Sequence, residues 1–477
     1  KDIIPFLKNY KKITSKRLKE IAERYGDQFV DVDVINEMLT IYKKGTSMRR
    51  VEKLMTGWNF TGPTGVRGPV ELPHTWNAID GQDGGNDYWR GTCTYDNTFT
   101  IPKYEEDERV YLQFHGVNAS ANVVLNGVVV KTHDGGYSTF RVDVTDELRE
   151  ENRIEIEVDN SVNNRVYPKK ADFTFYGGVY RDIEILIVSK EHFDLDYYGG
   201  LGIQYRSEVD GKDAKVYVST YLNEEAKNAG ARVVIELLDA QGNVVADAEG
   251  PEAILPISKV HLWDGLKDPY LYRLTATLMK NGQAVDEVSC NCGVRTFEFS
   301  PKDGFHLNGR PYPLHGVSRH QDWRGVGNAI TAENMEQDMQ LIREVGANTI
   351  RLAHYQHDQY FYDLCDRYGM VVWAEIPYIS IPASVETIDS WAFGESTVTE
   401  LVFENEHQSK LNFFGGYVFW YCDNLEKIVL PDNLCLQASY ATPFYYMANL
   451  KSLTVPAATV TMPECLIDGC YNLEELN

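Results

Sequence analysis

The hydrophobic and polar positions of this chain follow four different patterns, one after another. Residues 1–47 place Leu18, Ile21 and Tyr25 at helical spacing, with Gly26 directly after them. This spacing predicts short helices that end at glycine. The segment offers no chemically distinctive motif, so we predict a separate helical segment and assign it no function.

Short apolar runs with a period of two residues fill positions 48–298. The runs ERVYLQF, ANVVLNGVVV and NRIEIEV belong to the first part, and AKVYVSTYLN and ARVVIELLD belong to the second. Such alternation, interrupted by turns, is typical of β-sandwiches. Asn126-Gly127 between two apolar runs predicts a tight hairpin. We therefore predict one sandwich over residues 48–189 and an immunoglobulin-like sandwich over residues 190–298.

The pattern changes to alternating strands and helices over residues 299–380. The strand PYPLHGVSRH precedes a helix that opens near Thr331 and carries Met335, Met339 and Ile342 on one face. The strand NTIRLAHY, the helix FYDLCDRYG and the strand MVVWAEIP follow. This order predicts parallel strands with helical crossovers, as in a (β/α) barrel. A complete barrel needs eight strands and ~250 residues, so the prediction is an incomplete barrel.

The last part of the chain, residues 381–477, is repetitive. Leu425 recurs as Leu450 and Pro431 recurs as Pro456, a period of about 25 residues with one short apolar run in each unit. This period predicts a leucine-rich-repeat solenoid. The whole chain is therefore predicted to be multidomain and mainly β.

Amino-acid composition excludes some classes of function and leaves others open. The chain is 43% hydrophobic and 24% charged, which is a normal globular balance. A net charge of −24 argues against binding to nucleic acid, and the sequence has no apolar run of the ~18 residues that a membrane span needs. The eight cysteines form no CxxC pair and indicate neither a zinc site nor a disulfide framework. Thirty tyrosines and eight tryptophans fit either pleated sheets or carbohydrate recognition by flat rings, and composition alone leaves both open.

The middle of the chain resembles a known family. The phrases LPHTWN, FHGVNASANVVLNGVVVKTHDGGYSTF, FYGGVYRDIEI and HLWDGLKDPYLYRL resemble glycoside hydrolase family 2. RHQD followed by HYQHDQYFYDLCDRYG is closer to the β-galactosidases of that family than to its β-glucuronidases. The resemblance covers residues 48–380 and implies a jelly-roll sugar-binding domain, an immunoglobulin-like domain and the first three barrel strands. The repeats resemble those of bacterial surface proteins.

The resemblance implies a retaining exo-glycosidase that acts on terminal β-galactosides. Such hydrolysis needs two carboxyl groups ~5 Å apart. In this family the two catalytic glutamates end barrel strands four and seven, which lie beyond the point where this chain leaves the family pattern. We therefore predict no catalytic residue and an inactive chain. The Asn405-Glu406 pair is interpreted as the end of a repeat strand and not as the catalytic acid.

Part of the sugar pocket is predicted to remain. The resemblance gives Asp172 a role in binding galactose hydroxyls, and it gives His320 and His354, at the ends of strands one and two, a role in gripping the sugar. An ordinary turn aspartate and structural histidines are the alternatives.

Three further residues are predicted to support this pocket without touching the sugar. Arg319 and Arg351 precede the two histidines, and Glu375 closes the third strand. Relatives use Mg²⁺ and Na⁺, and Asp172 resembles a sodium ligand, but most of the ligands fall outside the matched strands. No cofactor or metal site is therefore predicted.

Two functional hypotheses remain open at this stage, together with a less supported third. The first is a truncated β-galactosidase, joined near Met48 and Ser380 to unrelated segments and inactive alone. The second is a non-catalytic surface protein that binds glycans or other partners, and the third is complementation by a separate barrel fragment. The first implies a cytoplasmic location and the second the cell surface, and the sequence leaves the oligomeric state open.

Overall fold

A computed structural model of the chain describes residues 49–81, 89–163, 166, 173–300, 302–375 and 378–381. From residue 383 onward it describes the chain except residues 384, 395–397, 399, 404–408, 423–424, 435, 437–442, 460–461 and 463–464. The predicted helical segment 1–47, Met48, Asp172 and the Asn405-Glu406 pair therefore lie outside the described residues.

Two antiparallel sheets face each other in the first described part. Their strands, with one short pair beside them, are β1 (Arg50–Lys53), β2 (Trp58–Thr61), β3 (Arg67–Val70), β4 (Thr92–Phe99), β5 (Glu108–Phe114), β6 (Val117–Asn118), β7 (Ser120–Leu125), β8 (Val128–Asp134), β9 (Phe140–Asp143), β10 (Asn152–Asp159), β11 (Gly178–Val179) and β12 (Ile183–Ser189). The sheet orders are β1-β12-β5-β9 and β3-β2-β4-β10-β7-β8, and β11 pairs with β6.

The sequence pattern explains this sandwich. Ile154, Ile156 and Val158 alternate along β10 and are fully buried between the sheets. The hairpin prediction is confirmed, because Leu125 pairs with Val128 across a two-residue turn at Asn126-Gly127.

A second pair of antiparallel sheets follows along the chain. It consists of β13 (Ile203–Asp210), β14 (Asp213–Thr220), the short helix α1 (Glu224–Asn228), β15 (Arg232–Leu238), β16 (Val244–Glu249), β17 (Glu252–Ile257), β18 (Tyr272–Lys280) and β19 (Gln283–Cys292). The sheet orders are β13-β14-β17 and β16-β15-β18-β19. Val233, Ile235 and Leu237 alternate along β15 and enter the core, as the period of two residues predicts.

The alternating segment forms a three-stranded parallel sheet with two helices. A small antiparallel sheet comes first and consists of β20 (Phe297–Ser300), β21 (Gly304–Leu307) and β22 (Arg310–Pro311). The parallel strands and their helices follow as β23 (Gly316–Arg319), α2 (Ala332–Glu344), β24 (Thr349–Leu352), α3 (Gln359–Tyr368) and β25 (Val371–Ala374). The parallel order is β23-β24-β25, and a capping box at Thr331 starts α2 where the sequence predicts it. The next strand along the chain does not pair with β25, so Trp373 at this edge is 64% exposed.

Short parallel strands make up the repeat segment. They are β26 (Tyr378–Ile381), β27 (Thr387–Ile388), β28 (Glu400–Phe403), β29 (Phe413–Phe414), β30 (Lys427–Val429), β31 (Ser452–Thr454) and β32 (Glu475–Leu476). They pair as β26-β28, β27-β29 and β30-β31-β32. The recurring Leu425 and Leu450 are both fully buried in one apolar cluster. That these units form a regular solenoid stays a prediction.

The immunoglobulin-like and barrel parts meet around Asp366 of α3. The indole Nε1 of Trp263 donates a hydrogen bond to the backbone oxygen of Asp366 at 2.9 Å, and Arg295 lies over the Trp263 ring. Burial raises the pKa of the Asp366 carboxyl from 3.8 to about 6. Arg295 opposes this rise, and Asp363 adds to it. The junction therefore holds a carboxylate that is poorly solvated at neutral pH.

This junction predicts a pH-dependent stability. Because the pKa of Asp366 is higher in the folded state, that state binds the proton more tightly, and stability falls as pH rises from about 4 to about 6. We expect Asp366→Asn to raise the free energy of unfolding at pH 7 by about 1–2 kcal/mol, less than the full pKa shift implies because the side chain is partly exposed. Urea unfolding at pH 7 and pH 4 measures this. The gain should vanish at pH 4, and the exposed Asp146→Asn should change stability at neither pH.

Candidate sugar-binding site

Three candidate residues meet where the parallel strands end. His320 follows β23 directly, His354 follows β24 after one residue, and Glu375 follows β25 directly. Because the carboxyl ends of parallel strands meet at one edge of a sheet, these side chains are close together. The ring centroids of His320 and His354 are 5.1 Å apart, and His354 Nδ1 lies 2.8 Å from Glu375 Oε2.

Glu375 holds His354 in one orientation. Its carboxylate accepts a hydrogen bond from His354 Nδ1 and forms an ion pair with Arg351 through the other oxygen. A proton on Nδ1 makes Nε2 the acceptor of the neutral ring, so the carboxylate also selects the tautomer. Arg351 and Glu375 therefore hold His354 in place, and their support of a sugar pocket stays a prediction.

An aromatic wall faces the two histidines. The Phe173 ring stacks near His354, with centroids 5.6 Å apart and planes 16° apart, and its centroid lies 5.5 Å from that of His320. The ring centroid of Tyr355 lies 5.4 Å from that of Phe173, and the Tyr355 ring stacks on the Tyr137 ring with centroids 4.2 Å apart. Asp172 itself lies outside the described residues, but its neighbour Phe173 is at this site. The sequence prediction missed Phe173, Tyr137 and Tyr355, although the aromatic run around Phe173 beside the FYGGVYRD motif was an available signal.

Arg319 points away from the histidines and into the barrel fragment. Its Nη2 lies 2.6 Å from Asp338 Oδ2 on α2, and its Nη1 lies 3.0 Å from His357 Nδ1. Burial lowers the pKa of Arg319, and burial beside this guanidinium holds the pKa of His357 well below its usual range. Arg319 therefore ties β23 to α2, and His357 is neutral at pH 7.

Hydrogen bonds hold the first sandwich against the strand ends. Arg181 donates from Nη2 to Gln321 Oε1 at 3.1 Å and to the backbone oxygen of Gln356 at 2.8 Å. The Tyr176 hydroxyl donates to Asp322 Oδ2 at 3.1 Å. The loops after β23 and β24 are thus tied to the segment that carries Phe173, so the site is a cleft built by two parts of the chain.

No group of three or more histidine, cysteine, aspartate or glutamate side chains that could hold a metal ion occurs among the described residues. In that same part of the chain, no helix is both long enough and apolar enough to cross a membrane.

Family models match four stretches of the chain. Residues 85–194 match the glycosyl hydrolase 2 galactose-binding domain-like model, residues 201–295 match glycosyl hydrolases family 2, and residues 301–408 match the TIM barrel domain of that family. The chain belongs to glycoside hydrolase family 2. Residues 373–477 match six copies of the BspA type leucine rich repeat region, which overlaps the barrel match.

Proteins named β-glucuronidase and proteins named β-galactosidase are both similar to this chain. A β-glucuronidase of Bacteroides fragilis is 35% identical over 76% of this chain and 55% of its own length. A β-galactosidase of Bacteroides ovatus is 32% identical over 64% of this chain and 37% of its own length. The crystal structure of an FMN-binding β-glucuronidase from Faecalibacterium prausnitzii matches with 42% identity and a TM-score of 0.67, covering 70% of this chain and 53% of that one. The chain thus spans about half the length of such family 2 relatives or less.

Proposed function

We propose that this family 2 chain binds the terminal sugar of a β-glycoside at the cleft between His320, His354 and Phe173 without hydrolysing it. The observation that carries the proposal is that two histidines at strand ends face an aromatic ring from another part of the chain, with one histidine oriented by Glu375. An aromatic face can stack on the apolar face of a pyranose while the imidazoles exchange hydrogen bonds with its hydroxyls. We also propose that Asp172, next to Phe173, binds sugar hydroxyls.

The absence of hydrolysis follows from the carboxylates. A retaining glycosidase needs one carboxyl group as acid and a second as nucleophile. Glu375 is a carboxylate that contacts His354, and its two oxygens are engaged by Arg351 and His354. A carboxylate held in this way supports binding and is not placed to act as a nucleophile.

We propose a neutral sugar, a β-galactoside, as the ligand. A glucuronide would need a cation to balance its carboxylate, yet Arg351 is paired with Glu375 and Arg319 with Asp338. A β-glucuronide is the second candidate, because the relatives with 35% and 42% identity are named β-glucuronidases. We further propose that the chain divides near residues 189, 298 and 380, with the last part forming a leucine-rich-repeat solenoid.

Titration calorimetry with methyl β-galactoside and methyl β-glucuronide tests this function. We expect the galactoside to bind and His354→Ala to weaken binding about tenfold or more, since a lost hydrogen bond to the ligand costs about 1–2 kcal/mol. The matched control is His315→Ala, which removes an exposed histidine just before β23. Stronger binding of the glucuronide would favour the second candidate. No heat with either sugar, or equal affinity in both variants, would refute the proposal.

A further inference from the structure

Seven aromatic side chains form a continuous line of ring contacts along the repeat segment. We call this line the aromatic strip, and its members are Trp391, Tyr417, Trp420, Tyr421, Tyr445, Tyr446 and Tyr471. The Trp391 ring centroid lies 5.0 Å from those of Tyr417 and Trp420, at one end of the strip. Tyr421, Tyr446 and Tyr471 come from three successive repeats, with centroids 5.7 Å and 6.5 Å apart.

The strip is separate from the core of the repeats. A second line of rings, Phe393, Phe419 and Phe444, stacks inside the segment with centroids 5.4 Å and 5.7 Å apart. Phe419 and Phe444 are fully buried, whereas Tyr471 is 75% exposed and Trp391 is 52% exposed. The core is therefore filled without the strip. Trp391, Tyr421 and Tyr471 are exposed and the other four rings are half-buried, so the strip forms an aromatic surface of the kind that marks a binding site.

The backbone beneath the strip gives an independent reason to infer a function. Trp391, Tyr417, Tyr421 and Tyr446 all have φ between 53° and 66°, a region that is sterically unfavourable for residues other than glycine and asparagine. In the last repeat, Gly469 (φ 82°) precedes Cys470 just as Tyr421 precedes Cys422. Tyrosine at this position thus costs conformational energy that glycine avoids, and such cost is typical of functional surfaces.

The chemistry of the strip fits an uncharged polymer that has both apolar faces and hydroxyl groups. All seven side chains are neutral, and the tyrosines among them carry a phenol hydroxyl. The chain as a whole has a net charge of −24, which repels nucleic acids and acidic polysaccharides. Neutral sugars present C–H faces to aromatic rings and hydroxyls to phenol oxygens, so they complement this surface.

The spacing of the rings indicates the shape of the polymer. Neighbouring strands of the repeats are ~4.8 Å apart, so each repeat advances the strip by about one strand spacing. An extended β-linked pyranose chain advances by a similar distance for each sugar. Tyr421 and Tyr446, whose planes are 28° apart, can meet neighbouring sugars, and Tyr471, whose plane is 86° from that of Tyr446, meets the chain at a different angle. We propose that the aromatic strip binds an uncharged, extended β-linked polysaccharide, independently of the cleft at His320 and His354.

Affinity electrophoresis of the full chain in gels that contain a soluble glucomannan, hydroxyethylcellulose or a polyuronate tests this proposal. We expect at least one neutral polysaccharide to retard the chain and the polyuronate to leave it unretarded. Tyr446→Gly should weaken retardation about tenfold, because it removes the ring that links three others. The same change should leave the thermal stability close to that of the unaltered chain, since the relief of the unfavourable φ offsets the ring contacts that are lost.

Two controls make the outcome specific. Tyr198→Gly removes a tyrosine that is 92% exposed at φ 47° outside the repeats, and it should leave retardation unchanged. His354→Ala should also leave it unchanged, which separates this proposal from terminal-sugar binding at the cleft. No retardation by either neutral polysaccharide, equal retardation of Tyr446→Gly and the unaltered chain, or stronger retardation by the polyuronate would overturn the proposal.

Discussion

The purified chain should leave aryl β-galactosides and aryl β-glucuronides intact, at rates about 10⁶-fold or more below those typical of glycosidases. Both the acid and the nucleophile must be carboxyl groups on either side of the glycosidic bond. In the described cleft, Glu375 is bound to Arg351 and His354, so both of its oxygens are already engaged. We therefore expect the chain to bind a sugar without the two-step displacement.

Release of a fluorescent aglycone over many hours at high protein concentration measures this expectation. A complete family 2 β-glucuronidase serves as the positive control for the assay. The sharpest control is Glu375→Gln, because trace contamination by another glycosidase would give the same rate in both preparations. Turnover that copurifies with the chain and falls in Glu375→Gln would contradict the prediction.

Asp286→Ala should destabilise the junction of the two sandwiches by about 3–5 kcal/mol. Asp286 lies on β19 with a fully buried side chain and accepts hydrogen bonds from Arg49 Nε at 2.9 Å and Nη2 at 3.0 Å. It also accepts the backbone N–H of Phe193 at 2.8 Å. Removing the carboxylate leaves a largely buried guanidinium and a buried amide without their partner, and this desolvation is the main cost.

Hydrogen exchange of peptides from β1, β12 and β19, together with calorimetric unfolding of the full chain, measures this change. A matched control lies in the same sandwich, where Arg232 and Glu249 form an ion pair at 2.9 Å with both side chains more than half exposed. Glu249→Ala should have little effect, because water solvates both partners once the pair is broken. Equal effects of the two variants would mean that burial of the Asp286 pair does not determine its contribution.

Local signals in the sequence predicted much of the fold. Three features depend only on residues that are neighbours in the sequence and could therefore be predicted from it. They are the Asn126-Gly127 hairpin, the start of α2 at Thr331 and the alternation along β15. His320 and His354 were also predictable as a pair, because both end parallel strands of one sheet.

Contacts between distant segments were not predictable in this way. Phe173 reaches His354 only after the first sandwich docks on the barrel fragment, and no periodicity reports that docking. The pairing of Arg319 with Asp338 likewise depends on how α2 crosses the sheet. The repeat period was visible in the sequence, but the strained φ of Tyr421 and Tyr446 was not, since tyrosine gives no sign of a left-handed backbone.

The order of the cleft residues along the chain has a consequence for synthesis. Tyr137 and Phe173 are translated first, His320 and His354 follow, and Glu375 completes the set before most of the repeat segment is made. Domains generally fold as units from the amino end while the ribosome is still adding residues. The cleft at which we propose that a sugar binds can therefore form on the nascent chain while the aromatic strip is still untranslated, so a ribosome stalled late in the repeats would already display it.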